Sequence, residues 1–125
     1  MAKKKVLLVD DDPVFIEAVS AILEQQYEIG TASNGTEGLA AVEADRPDLI
    51  ILDVMMDHIS EGFDVARKLR KNPETASIPI IMLTGVDEVY NYRMEVDESW
   101  APCDRYLEKP VPPEILVRHV AELIG

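Results

Sequence analysis

Five residues combine useful chemical types with a repeated setting: Asp10, Asp11, Asp53, Thr84 and Lys109 each stand at or just past the end of a short apolar run. Three carboxylates gathered in one pocket would repel one another. Two unit charges about 4 Å apart oppose each other by roughly 4 kcal/mol at an effective dielectric of about 20. Such a cluster must take up protons, gain a cation, or both. Mg²⁺ fits the case, with Mn²⁺ as its substitute, because it prefers hard oxygen ligands and uses one or two protein carboxylates beside waters and phosphate oxygens. Zinc does not, since neither His58 nor His119 has a partner at ligand spacing.

A carboxylate beside a metal can attack a phosphoryl group and carry it as an acyl phosphate. Phosphoryl transfer asks mainly for positioning and for neutralisation of the equatorial oxygens. A divalent cation, the Lys109 ammonium and the Thr84 hydroxyl would each take one oxygen, and Gly85 would leave the approach open. Singly, each residue has a plainer explanation. Asp11 or Asp12 alone reads as a helix cap, Asp53 as a turn residue, Thr84-Gly85 as a loop and Lys109-Pro110 as a common dipeptide. The specific signal is their conjunction after successive apolar runs.

Those runs define the elements that must position them. Val6 to Val9, Leu49 to Leu52 and Ile80 to Leu83 are continuously apolar, the pattern of strands buried on both faces. Tyr27 to Ala32 is a weaker strand and Arg105 to Leu107 a short one. Between them, Pro13 opens a helix with Phe15, Ile16, Val19, Ile22 and Leu23 on its inner stripe. Asn34-Gly35 marks a turn before a helix over 36–43, and Gly62 to Arg70 carries a third helical pattern that Asn72-Pro73 stops. The polar stretch 87–95 is helix-compatible with poor periodicity. Pro112 and Pro113 open a last helix that buries Ile115, Leu116, Val120 and Ile124. Five strand–helix units with short connections predict one α/β domain over residues 1–125, a parallel sheet wound with helices on both faces. Ligands of such sheets bind beyond the carboxyl ends of the strands, where the five chemical residues fall.

Composition narrows the function classes. The chain has 12 Lys and Arg against 24 Asp and Glu, a net charge of −12, which argues against nucleic acid as a direct partner. No apolar run approaches the roughly 18 residues of a membrane span, and Val6 to Val9 is too short for a signal-peptide core. A cytoplasmic location is expected, consistent with the single Cys103, which has no partner for an internal disulfide.

With Val9-Asp10-Asp11-Asp12-Pro13, Leu52-Asp53, Thr84-Gly85 and Tyr106-Leu107-Glu108-Lys109-Pro110 in view, the sequence resembles the response-regulator receiver family over essentially its whole length. The resemblance implies a flavodoxin-like (βα)5 fold with a five-stranded doubly wound parallel sheet in the order 2-1-3-4-5. It implies Asp53 as phosphoacceptor, Asp10 and Asp11 as the acidic pair for Mg²⁺ joined by the backbone carbonyl of Met55, and Lys109 as the family's lysine. Thr84 and Tyr106 would form the switch: the hydroxyl turns toward the phosphoryl oxygens and the aromatic ring fills the space it leaves. A changed surface on the fourth helix, fifth strand and last helix would then select partners. The implied partners are a histidine kinase or phosphotransfer protein upstream, and a downstream protein or a missing output domain. The chain would be a monomer or a weak phosphorylation-dependent dimer, and no enzyme beyond its own phosphorylation and dephosphorylation.

Two departures from the family pattern stand out. Asp57 follows Met56 where the family has proline, in a loop to Gly62 about one residue longer than usual, and the segment 86–103 is long and polar with Trp100 and Pro102. Met55 and Val86, two residues after Asp53 and Thr84, are apolar and would position water poorly, which implies slow self-dephosphorylation. The rival readings are a metal-dependent aspartyl phosphatase, a non-phosphorylated docking module and a flavin carrier. The first favours an Asp where Met55 stands, and the last would set Asp10-Asp11-Asp12 against a phosphate.

Overall fold

A computed structural model of the chain describes residues 3–53, 59–84, 104–108 and 111–125. In chain order the elements are β1 (Lys5–Val9), α1 (Pro13–Leu23), β2 (Glu28–Ala32), α2 (Gly35–Ala44), β3 (Leu49–Asp53), α3 (Ile59–Lys71), β4 (Ile80–Thr84), β5 (Arg105–Glu108) and α4 (Pro113–Ile124), the last helix. The five strands form one parallel sheet in the order β2-β1-β3-β4-β5. This is the parallel sheet that the apolar runs predict, in the flavodoxin-like order that the family resemblance implies. The helix expected over 87–95 lies outside the described residues.

The unalternating apolar strands are explained by burial on both faces. On one face, Leu7, Val9, Ile50, Leu52, Ile80 and Met82 pack against Val42 of α2 and Val65, Ala66 and Leu69 of α3. On the other, Val6, Leu8, Leu49, Ile51, Ile81 and Leu83 pack against Val19 and Leu23 of α1 and Leu116 and Val120 of α4. Successive residues of a strand thus serve different cores.

Local signals set the helix ends. Asp12 is the N-cap of α1, its carboxylate accepting the Val14 N–H at 3.0 Å, with Pro13 in the first turn. Asn34 caps α2 and exchanges bonds with Glu37: Asn34 Oδ1 accepts the Glu37 N–H at 2.9 Å, and the Glu37 carboxylate accepts from Asn34 Nδ2 and from the Ser33 hydroxyl. The start of one helix and the burial of one side chain differ from the sequence reading. The third helix begins at Ile59, not Gly62, because a glycine costs a helix some stability without preventing it. Ile22, assigned to the inner stripe of α1, is 39% exposed, and Val14 at the start of the helix is 74% exposed. The buried stripe centres on Val19 and Leu23, and Ile22 falls on its flank, on the same outer side as Val14 and Ala18 at four-residue spacing.

The opposite end of the sheet is tied by charge. The Lys5 ammonium pairs with Asp45, an exposed contact that raises its pKa above the usual lysine value, chiefly through the hydrogen bond to that carboxylate. Asp48 accepts the Lys5 N–H at 2.7 Å and returns its own N–H to the Lys5 carbonyl. Lys4 Nζ donates to the carbonyl of Ile124, so the first strand and the end of the last helix meet there. No helix among the described residues is long and apolar enough to cross a membrane.

Candidate functional site

The register of β1 and β3 places Val9 beside Leu52. The chain therefore delivers Asp10 and Asp53 side by side at the carboxyl edge of the sheet. Both are almost wholly buried, at 1% exposure each, whereas Asp11 is exposed. One carboxylate oxygen from each of Asp10, Asp11 and Asp53 lies within 4.8 Å of the others. Two buried carboxylates at such range are unfavourable without compensating charge. Three hard oxygen donors, with one opening to solvent for water ligands, form a donor set suited to Mg²⁺ or Mn²⁺. The cluster could hold a metal, and its residues fit that ion.

Asp10 is fixed from two sides. Its N–H donates to the Ala32 carbonyl at 3.0 Å, which anchors the end of β1 to β2. Its Oδ1 accepts the Asp12 N–H at 2.9 Å, which sets the carboxylate's orientation. Asp12 in turn caps α1, so the positive end of that helix dipole begins within two residues of the cluster.

The other residues singled out by the sequence are placed as follows. Thr84 is the last residue of β4, opposite Glu108 of β5, and its neighbour Leu83 is paired with Asp53, so its backbone ends on the same rim. Tyr106 is paired with Met82 in β5 and is half-buried against the core that contains Val9 and Leu52. It thus closes a row, Ala32, Val9, Leu52, Met82 and Tyr106, that crosses the sheet one level below the acidic cluster. Met55, Gly85, Val86 and Lys109 lie outside the described residues, as do Met56 and Asp57 and the segment 86–103 with Trp100, Pro102 and Cys103.

Sequence reasoning left two features unread. It weighed Asp11 and Asp12 equally as helix caps, and only Asp12, extended at φ −95° and ψ 104°, takes that role. It used Asn34-Gly35 as a turn signal. The spacing of Asn34 to Glu37, a capping box in outline, was the available sign that this loop is locked onto α2 beside the site.

Comparison with known proteins gives a consistent picture. A family model described as the response regulator receiver domain matches residues 6–121. The protein PilH of Pseudomonas aeruginosa is 32% identical over 125 residues, covering 97% of this chain and 98% of its own. The DNA-binding dual master transcriptional regulator RpaA of Synechocystis is 35% identical over 96% of this chain but only 48% of its own length. The chain spans about half the length of several of the curated relatives it matches. Among solved structures, the receiver domain of the sensor histidine kinase PA1611 from Pseudomonas aeruginosa, which has a magnesium ion coordinated in its active-site cleft, superposes with a TM-score of 0.84 at 27% identity, over 99% of each chain.

Proposed function

This chain belongs to the response regulator receiver domain family, and from that premise we propose that it accepts a phosphoryl group on Asp53 with Mg²⁺ and relays the event through its surface. One observation carries the proposal: the oxygens of Asp10, Asp11 and Asp53 converge within 4.8 Å at the carboxyl edge of β1 and β3.

In the proposed step an Asp53 carboxylate oxygen attacks the phosphorus of a phosphohistidine on a kinase or phosphotransfer protein. The new O–P bond forms as the N–P bond breaks, and that bond's electron pair remains on the donor's imidazole nitrogen. Mg²⁺, when bound, supplies a fixed positive charge against the phosphoryl oxygens. Asp10, Asp11 and Asp53 would hold it with the Met55 carbonyl, and Asp12 keeps the Asp10 carboxylate oriented through its N–H. The Lys109 ammonium and the Thr84 hydroxyl would bind the remaining oxygens and so lower the barrier by positioning and charge neutralisation. Thr84 turning toward the phosphoryl group would open space for the half-buried Tyr106, which changes the surface around β5 and α4 that a downstream protein or output domain reads.

On this reading residues 1–125 form one cytoplasmic receiver domain that turns over no external substrate. The slow loss of the phosphoryl group implied by Met55 and Val86 belongs to the same proposal. The test is intact-mass spectrometry after incubation with acetyl phosphate and Mg²⁺. One phosphoryl adduct on the wild type, none on Asp53→Asn and none after chelation of the metal is the expected result. An adduct that survives in Asp53→Asn would assign the acceptor elsewhere.

A further inference from the structure

We infer that the free edge of β2 is a docking site for an extended segment of a partner protein, one that carries a basic residue two positions from an apolar one. β2 is an outer strand of the sheet, paired only with β1 among the described residues. The Glu28 N–H donates to the Lys4 carbonyl, and the Ala32 carbonyl accepts the Asp10 N–H. Residues 28 and 32 thus turn their backbone groups toward β1. With the two-residue period of a strand, Ile29 and Thr31 turn theirs outward, a donor and an acceptor each.

An edge alone says little, since every open sheet has two. β5, the other edge, is four residues long with Arg105 and Glu108 at its ends. β2 lacks the usual guards: it has no proline, no lysine and no left-handed residue that would mark a bulge. Beside it lies a groove of about 140 Å³, lined by the apolar Leu7, Gly30 and Ala41 and by the charged Lys5, Glu28 and Asp45. That volume is of the order that holds one small ring or branched aliphatic side chain. A Cβ on Gly30 would stand 3.6 Å from Leu7 Cδ1, an ordinary contact. Packing within the fold therefore does not demand the glycine, whose missing side chain keeps the groove open.

The strand already beside β2 shows what it accepts. In β1, Lys5 stands opposite Glu28 and Leu7 opposite Gly30, in parallel register. Side chains 28 and 30 share one face of the sheet and are available to a neighbour on either side. The groove holds two carboxylates against one ammonium, and the whole chain carries −12, so a basic segment is drawn to it. A second copy of the chain, equally acidic, is repelled. Main-chain pairing supplies the affinity, and the groove selects the apolar side chain.

The probe is a synthetic peptide with the sequence of residues 3–9, blocked at both ends. It is titrated into ¹⁵N-labelled protein at about 0.15 M salt, where long-range attraction is screened. Amide shifts should be confined to β2 and the second half of α2, with hydrogen exchange slowed at Ile29 and Thr31. Thr31→Pro, which removes an outward N–H and leaves the bonds to β1, should weaken binding about 10-fold. Glu28→Lys should weaken it as much, as should a peptide with serine at the place of Leu7. Failure to bind at millimolar peptide, unchanged exchange at Ile29 and Thr31, or full affinity in a folded variant overturns the inference. Should Thr31→Pro not fold, the exposed Glu28→Lys decides. Sedimentation of the protein alone tests the remaining occupant. A monomer supports the partner reading, and a dimer with exchange slowed at the same two amides assigns the edge to a second copy and overturns it.

Discussion

Asp12 performs two tasks with different atoms. Its N–H orients the Asp10 carboxylate, and its own carboxylate caps α1. Only the second depends on the side chain. Asp12→Ala is therefore expected to lower stability by about 1 kcal/mol in urea unfolding, with Asp12→Asn close to wild type because asparagine caps as well. Lys5 offers a pH test at the same scale. Its folded pKa is raised by Asp45, so the pair stabilises the fold below the unfolded lysine value of 10.5 and loses that contribution as pH rises through the folded value. Urea midpoints of wild type and Lys5→Met should differ near neutral pH and converge once the pH has passed the raised folded value. At this scale the sequence made the acidic residues legible by type and spacing. The division of labour between Asp11 and Asp12 was not legible, because it is decided by the backbone angles of one residue.

Arg70, near the end of α3, staples three separate pieces of chain. Its Nη1 donates to the carbonyls of Ala76 at 2.7 Å and Ile78 at 2.9 Å, and its Nη2 pairs with Asp104. Asp104 in turn accepts the Ile80 N–H at 2.8 Å and donates its own N–H to the Ile80 carbonyl. The element ends of α3, β4 and β5 are thereby fixed at one point. Arg70→Ala should cost about 2 kcal/mol, the range for charged hydrogen bonds that are partly exposed, and hydrogen exchange should show faster opening at the start of β4 and β5 than in β1. None of this was legible, since Arg70 and Asp104 are far apart in sequence and the bonds run largely to backbone carbonyls. The strands themselves were legible because burial on both faces removes polar residues from them. Ile22 was misread because helical spacing gives the width of a stripe less reliably than its centre.

For the whole molecule, the sheet concentrates negative charge at one edge of a chain already at −12. Asp10 and Asp53 are buried carboxylates in one cluster and repel each other when both are charged. Asp53→Asn should raise the metal-free thermal midpoint, while the rise produced by Mg²⁺ in wild type, worth about 2.7 kcal/mol at a concentration of about 100 Kd, should largely disappear. A lower metal-free midpoint in that variant would show that the two carboxylates are compensated by other groups. The parallel, doubly covered architecture followed from the unalternating apolar runs. The order of the strands did not, because periodicity says which faces are buried and nothing about which strands are neighbours; that came from the family resemblance.

The bond from Lys4 to the Ile124 carbonyl brings residues 4 and 124 together at the edge of the sheet opposite the acidic cluster. Chain ends that lie close together at a surface tolerate rejoining. A short polar linker across this gap, with new ends opened at Gln25 in the exposed turn between α1 and β2, would yield a circular permutant that keeps every strand pairing. Fusion partners or fluorescent labels appended at residues 4 or 124 would likewise sit on the side of the molecule that Asp53 does not face.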